Sequence, residues 1–334
     1  MHIEKKVAFL RQPDIYPDRP KRVDVIETHM SWVFLTETLV YKLKKPVRYE
    51  FLDFSTVAAR RQDCEAELSL NRRLAGQVYL RTMPLTIQAD GGLQLDGDGR
   101  VVDWLVQMRR LPAGRMLDAA IREGTVYAGD MQKLSQALTG FYRSSSAFPI
   151  TPAEYRRRFE QDIQRNLIEL LDNRYALPKT QVEDLAAAQR QFVLEQGCIV
   201  EQRAGEGRII DAHGDLRPQH IFLLDPPVII DCLEFNQAFR ILDPVDELAY
   251  LSMECERLGA PGIGDEVLGR YIDAAGDACP IELIGFYKVF RACLRAKIAV
   301  WHITDHQVQD HQRWLRMART YLDLADRYLR RLRA

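Results

Sequence analysis

Ala212 to Phe235 reads AHGDLRPQHIFLLDPPVIIDCLEF. Ile221-Phe222-Leu223-Leu224 is apolar and bulky enough for a strand, and Val228-Ile229-Ile230 is a β-branched second one. Asp225-Pro226-Pro227 turns the chain, because proline fixes φ and donates nothing to a ladder. If Leu224 pairs with Val228, Ile221 faces Asp231 and His220 faces Cys232. His220 and Asp231 then meet at the open end of one hairpin, with Asp215 in the loop that enters it. One carboxylate suits an acceptor hydroxyl, and an Asp/His pair suits a metal. Singly, these residues read as a turn cap and a satisfied histidine. Together, His-Gly-Asp-Leu, a hairpin and Ile-Asp describe a site.

The chain around this stretch has 334 residues, enough for two lobes, and is 47% apolar. A formal net charge of −1 gives no global field for nucleic acid. Six scattered cysteines form no CxxC pair, so neither a disulfide framework nor a zinc site is expected. The polar opening MHIEKKVAFLRQPDIYP does not suit a signal peptide. No run approaches ~18 apolar residues. A cytoplasmic chain without a membrane partner is the expectation. No G-x-x-x-x-G-K-[ST] motif is present.

Residues 1–107 read as a strand-rich lobe. Val23 to Glu27, Trp32 to Thr36, Leu39 to Leu43 and Val101 to Met108 are the strand candidates, and Phe54 to Leu74 is a helix capped by Ser55 and closed by Gly76. Residues 108–114 read as a hinge, with Leu111-Pro112-Ala113-Gly114 breaking the pattern. Residues 115–334 read as a helical lobe that carries the loop at Asp215 and an acceptor site. Its helices are expected at 130–145, 152–173, 181–196, 244–258, 264–275, 281–303 and 307–333. Strands first and helices later imply an α+β, two-lobed architecture. On the first-lobe helix, Val57, Cys64, Leu68, Leu70, Leu74 and Ala75 define an apolar face. Glu67 lies about 50° from its centre and Glu65 about 110°, so Glu67 is the inward carboxylate.

His213-Gly214-Asp215-Leu216, Ile230-Asp231 and Asp243-Pro244-Val245-Asp246-Glu247-Leu248-Ala249 together resemble the aminoglycoside phosphotransferase and choline kinase branch of the protein-kinase-like fold. The match is to a bacterial subgroup often fused to a P-loop kinase domain, with Glu27 to Thr36, Tyr41 to Pro46 and Leu52 to Thr56 resembling its N-terminal signature. The resemblance spans roughly residues 20–325. It implies an ATP- and Mg²⁺-dependent phosphotransferase that acts on a small-molecule hydroxyl, and a separate P-loop kinase as a partner. A nucleotide-binding pseudokinase that serves as an interaction module is the alternative; a protein kinase ranks last.

In that reading Asp215 orients the acceptor hydroxyl and Arg217 neutralises the transferring phosphoryl group. Lys42 reaches the nucleotide phosphates, with Lys44 on the same strand face as its rival, and Glu67 orients the lysine. Thr28 and Ser31 stand in for the missing glycine-rich loop, and Met108 to Leu111 offer backbone groups to adenine. Asp231 binds Mg²⁺. His220 takes the position where the family pattern has Asn. Imidazole suits Mg²⁺ poorly, so His220 acts through water, accepts Mn²⁺, or hydrogen-bonds a carboxylate. Tyr287, Arg291 and Arg295 on one helix, with Glu234 as a further ligand, are the acceptor candidates, and their charge suits an anionic molecule. Asp246 is expected to cap its helix. His306 and His311, five apart, are wrongly spaced for a helical metal pair.

Overall fold

Alternation of apolar residues along the N-terminal strands dictates a sheet with a filled face. A computed structural model describes residues 1–49, 52–304 and 310–333; His306 lies outside them. Helix α1 (Ile3–Leu10) precedes strands β1 (Asp24–Glu27), β2 (Ser31–Leu35) and β3 (Leu39–Lys44). Two short strands, β4 (Arg48–Tyr49) and β5 (Leu52–Asp53), lead to helix α2 (Val57–Ala75). Strands β6 (Tyr79–Ile87), β7 (Leu93–Leu95) and β8 (Arg100–Arg109) complete an antiparallel six-stranded sheet of order β1-β2-β3-β8-β6-β7. Tyr41 and Leu43 of β3 enter a core with Phe34, Met83, Leu105 and Leu10. A strand's period of two then sends Lys42 and Lys44 to its opposite face.

After the sheet come helices α3 (Leu117–Glu123), α4 (Ala128–Ser144), α5 (Pro152–Leu170) and α6 (Lys179–Gly205). Four two-residue strands follow: β9 (Ile210–Asp211), β10 (Ile221–Phe222), β11 (Val228–Ile229) and β12 (Ile241–Leu242). Helices α7 (Pro244–Arg257), α8 (Pro261–Ala275), α9 (Ile281–Thr304) and α10 (His311–Arg333) close the chain. The architecture is α+β and bilobal. One compact unit comprises Met1–Met116 with His220–Leu224 and Val228–Phe239. The other comprises Leu117–Gln219, Asp225–Pro227 and the chain from Arg240 onward. Hairpin strands β10 and β11 thus fold with the sheet, although they come much later in the chain. Among the described residues no helix is long and apolar enough to cross a membrane.

Several boundaries differ from expectation for physical reasons. Thr56, not Ser55, caps α2, because its hydroxyl accepts the Ala59 N–H at 3.1 Å. Helix α6 continues through Gly197, where a stop was expected. A Cβ there would lie 2.7 Å from Arg156 Nε, so the glycine makes room for the α5 guanidinium. Asp243, not Asp246, caps α7, accepting the Val245 N–H at 2.9 Å. The hairpin register is also shifted by two residues, with a five-residue loop in place of three. Ile221 pairs with Ile229 and Phe222 with Val228. Leu223 leaves the ladder because its N–H donates to Arg115 O at 2.8 Å.

Helix α7 carries several buried polar groups of the second unit, and α8 packs against it through a glycine. A Cβ at Gly264 would meet the Ser252 Cα at 2.3 Å. Gly264→Ala is expected to destabilise the protein by about 1–3 kcal/mol through overpacking, read as a lowered urea midpoint.

Candidate functional site

The first unit gathers charge around a buried carboxylate. Glu67, on α2, has no solvent exposure. Lys42 Nζ lies 2.9 Å from Glu67 Oε1, and Lys44 Nζ lies 2.6 Å from Glu67 Oε2. Burial alone would raise the Glu67 pKa, but the two ammonium groups hold it below the ordinary range. Glu65 is exposed and pairs with Arg61 on its own helix. Lys42 also donates to Asp231 Oδ1 at 2.9 Å. Burial would lower the Lys42 pKa, yet Asp231, Glu67 and Glu234 hold it well above normal, so it stays charged.

Asp231 follows β11 in the left-handed backbone region, at φ 62°. Asp is one of the few residues that visit it readily. Two side chains fix the backbone there. The Asp231 N–H donates to the Tyr79 hydroxyl at 3.2 Å, and the Cys232 N–H to Asn71 Oδ1 at 2.9 Å. The shifted register puts His220 beside Ile230, whose N–H donates to His220 O at 2.9 Å. His220 Nε2 lies 3.4 Å from Asp231 Oδ2. The Asp231 side chain is 44% exposed, and its oxygens suit a hard cation such as Mg²⁺.

Lys44 is not a spare copy of Lys42. It is buried and touches Asp63, Glu67 and Glu234. Those three carboxylates lie close enough to hold a metal, but the Lys44 ammonium already sits on all of them. Glu234 therefore belongs to this cluster. Burial pushes its pKa up to about 7, against the pull of Lys44, with Glu67 and Asp63 adding repulsion. Asp63 is raised for the same reasons. The sequence reading missed Asp63, although Asp63 and Glu67 are four apart and share a helix face.

Two expected nucleotide contacts are otherwise engaged. The Thr28 and Ser31 hydroxyls lie 2.9 Å apart, and Thr28 Oγ1 accepts the Ser31 N–H at 2.9 Å. They close the β1–β2 turn upon itself. Met108 lies inside β8, paired with Val40 on one side and Tyr79 on the other, so its backbone belongs to the sheet.

The second unit holds Asp215. Tyr250 donates to Asp215 Oδ1 at 2.9 Å, and Arg217 approaches Oδ2 with Nε at 3.0 Å and Nη2 at 2.8 Å. The loop before it hangs on one buried carboxylate. Glu247 accepts the His213 N–H at 3.0 Å, the Gly214 N–H at 2.6 Å and the Tyr142 hydroxyl at 2.9 Å. Gly214 has φ 88°, a conformation that strains any residue with a Cβ. Glu247 and Tyr250 were also missed. The signal was polar residues three and four apart in an otherwise apolar helix. Two acceptor candidates face the interior. Arg291 is 5% exposed and grips Asp246 at 2.7 and 2.6 Å; Tyr287 is fully buried and donates to Asp243 at 3.1 Å.

No family model matches the chain. A choline kinase from Cryptosporidium parvum superposes with a TM-score of 0.57, covering 99% of this chain and 96% of that one at 10% identity. A choline/ethanolamine kinase family protein from Mesorhizobium loti gives 0.53, covering 98% and 99% at 16% identity. The fold is protein-kinase-like. In sequence, an uncharacterized protein of Mycobacterium tuberculosis is 32% identical over 286 residues, which is 83% of this chain and 54% of that protein. The chain spans about half the length of the curated relatives it matches. In kinase-like terms, the Lys42–Glu67 pair and Asp231 lie in the strand-rich unit, and Asp215 lies in the helical one.

A titration tests the Lys44 cluster. Between the ordinary 4.5 and about 7, the folded protein keeps a proton on Glu234 that the unfolded chain releases. Stability from this group is thus complete at low pH and is lost as pH rises through about 7. Glu234→Gln removes that dependence. Its stability relative to wild type should rise between about pH 5 and pH 8, by on the order of 1–3 kcal/mol in urea unfolding. A difference that does not vary with pH would show that Glu234 holds no such proton.

Proposed function

We propose that the protein is an ATP-dependent phosphotransferase that moves the γ-phosphoryl group to a hydroxyl of a small molecule. The observation that carries this reading is Lys42, whose ammonium bridges Glu67 and Asp231 at 2.9 Å each. A lysine on a sheet strand, fixed by a helical glutamate and next to a metal-ready aspartate, is the arrangement that phosphoryl transfer uses to neutralise phosphate charge. Lys42 would bind the nucleotide phosphates, and Glu67 would keep its ammonium on the strand's inward side. Asp231 would hold Mg²⁺, with His220 steadying its second oxygen. The cation, when bound, supplies neutralisation of phosphate charge.

Asp215 would orient the acceptor hydroxyl and take its proton. The hydroxyl oxygen forms the new bond to the γ-phosphorus. The bond from that phosphorus to the bridging oxygen breaks, and ADP leaves with the electron pair. Tyr250 donates to one Asp215 oxygen and Arg217 to the other, so the carboxylate cannot swing away. Arg217 also brings positive charge to the position where the phosphoryl group arrives.

The test is ATP consumption against pools of small alcohols. Asp215→Asn should lower turnover by roughly 10²–10⁴ while ATP binding persists. Separately, ATP with Mg²⁺ should raise the melting temperature of the wild type, because a ligand bound only by the folded state stabilises it. Asp231→Ala should lose the part of that shift that needs Mg²⁺. A wild type with no Mg²⁺-dependent shift at millimolar ATP would overturn the nucleotide reading.

A further inference from the structure

With Tyr287 and Arg291 turned inward, Arg295 is the acceptor candidate of α9 that remains. Arg295, on α9, is 15% exposed at its side chain and Arg217 22%, so two guanidinium groups are largely withdrawn from solvent. Arg295 lies 3.4 Å from Glu254, and Glu254 is one helical turn along α7 from Tyr250, which donates to Asp215. Arg217 holds the other oxygen of that same carboxylate. Tyr250 lies among them, nearly buried, its hydroxyl on Asp215.

Arg295 lies over an aromatic face, its Cζ 5.6 Å from the Tyr321 ring centre, but among the described residues it has no close hydrogen-bond partner. Its Nε lies 3.4 Å from Glu254 and 3.5 Å from the Tyr321 hydroxyl, both long contacts. Among the described residues, neither of its terminal nitrogens donates a hydrogen bond to the protein. Glu254 is no full partner for it. That carboxylate already accepts Tyr321 at 2.7 Å and Arg257 at 2.8 Å. A planar guanidinium fork one helical turn from the Tyr250–Asp215 pair, with donors to spare, matches the two-oxygen geometry of a carboxylate or phosphate.

A cationic acceptor finds the opposite. It would need carboxylates, and those of α7 are engaged. Asp246 is gripped by Arg291, Glu247 by the loop N–H groups and Tyr142, and Glu254 by Arg257 and Tyr321.

Resting on the phosphotransferase reading above, we propose that the acceptor is an alcohol that carries an oxyanion. Arg295 binds that group, phosphate or carboxylate, with Arg217 adding charge, and the acceptor's free hydroxyl is presented to Asp215. Arg295 is then the residue that sets specificity, and the protein selects against amino alcohols and polyamines.

The experiment has a binding arm and a turnover arm. Inorganic phosphate is titrated by calorimetry into wild type, Arg295→Gln, Arg295→Lys and Arg330→Gln, all with saturating ADP and Mg²⁺ to fill the nucleotide site. Arg330 is an exposed residue on α10, paired with Asp326. Arg295→Gln should weaken phosphate binding about tenfold to a hundredfold, Arg295→Lys less, and Arg330→Gln not at all. Circular dichroism at the assay temperature confirms that each variant is folded. Equal phosphate affinity in wild type and both Arg295 variants would overturn the proposal.

In the turnover arm, ATP consumption is measured with neutral polyols, amino alcohols, hydroxy acids and sugar phosphates. Turnover of hydroxy acids alone identifies a carboxylate, and of sugar phosphates alone a phosphate, with Arg295→Gln raising KM more than it lowers kcat. Turnover confined to amino alcohols sinks the anionic acceptor and leaves the phosphotransferase intact. No turnover with any class, while Arg295→Gln still loses phosphate, sinks the phosphotransferase and leaves the anion site.

Discussion

Glu67 has no access to water, so its charge persists only because two ammonium groups are pressed against it. An ionised carboxylate alone in that position would cost several kcal/mol. That requirement organises the strand-rich unit. Strand β3 must present Lys42 and Lys44 on one face, which its period of two allows. Helix α2 must present Asp63 and Glu67, which its i,i+4 spacing allows. The segment after β11 must bring Asp231 and Glu234, and Tyr79 and Asn71 hold its backbone in place. Six ionisable side chains from three pieces of chain thus hold one another at fixed separations.

The helical unit solves the same problem with one helix. Arg203 takes both carboxylates of its cluster, Asp243 and Asp277, below the surface. Asp243 in turn caps α7, and α7 supplies Glu247 to the His213–Gly214 backbone and Tyr250 to Asp215. The direction of the Asp215 carboxylate therefore depends on a helix start twenty-eight residues later in sequence (243 against 215). Arg203 lies a further step away and touches nothing reactive, yet its guanidinium keeps that start in place.

Much of this was legible in the sequence. Periodicity separated the strands from the helices, and the helical wheel of α2 chose Glu67 over Glu65. What failed did so where pattern and packing part company. Helical spacing shows that Tyr287, Arg291 and Arg295 share a helix, but not that α9 is enclosed nearly all round. Two of the three are therefore interior residues bonded to Asp243 and Asp246. Apolar runs cannot fix a hairpin register either. The deciding contact, Leu223 N–H to Arg115 O, joins positions far apart in sequence. The Lys44 cluster was hidden because its four members come from three elements, which only the fold brings together.

The late arrival of residues 220–224 and 228–239 in the strand-rich unit bears on biosynthesis. Ribosomes extend a chain by about 5–20 residues per second. For roughly the 5–20 s that separate Met116 from His220 at that pace, the nascent sheet carries Lys42 and Lys44 with Asp63 and Glu67 but without Asp231 or Glu234. Residues 1–116 cannot reach the unit's final charge arrangement by themselves. They wait as an unfinished half until a much later segment returns to them, which makes the intervening helices part of the unit's folding history.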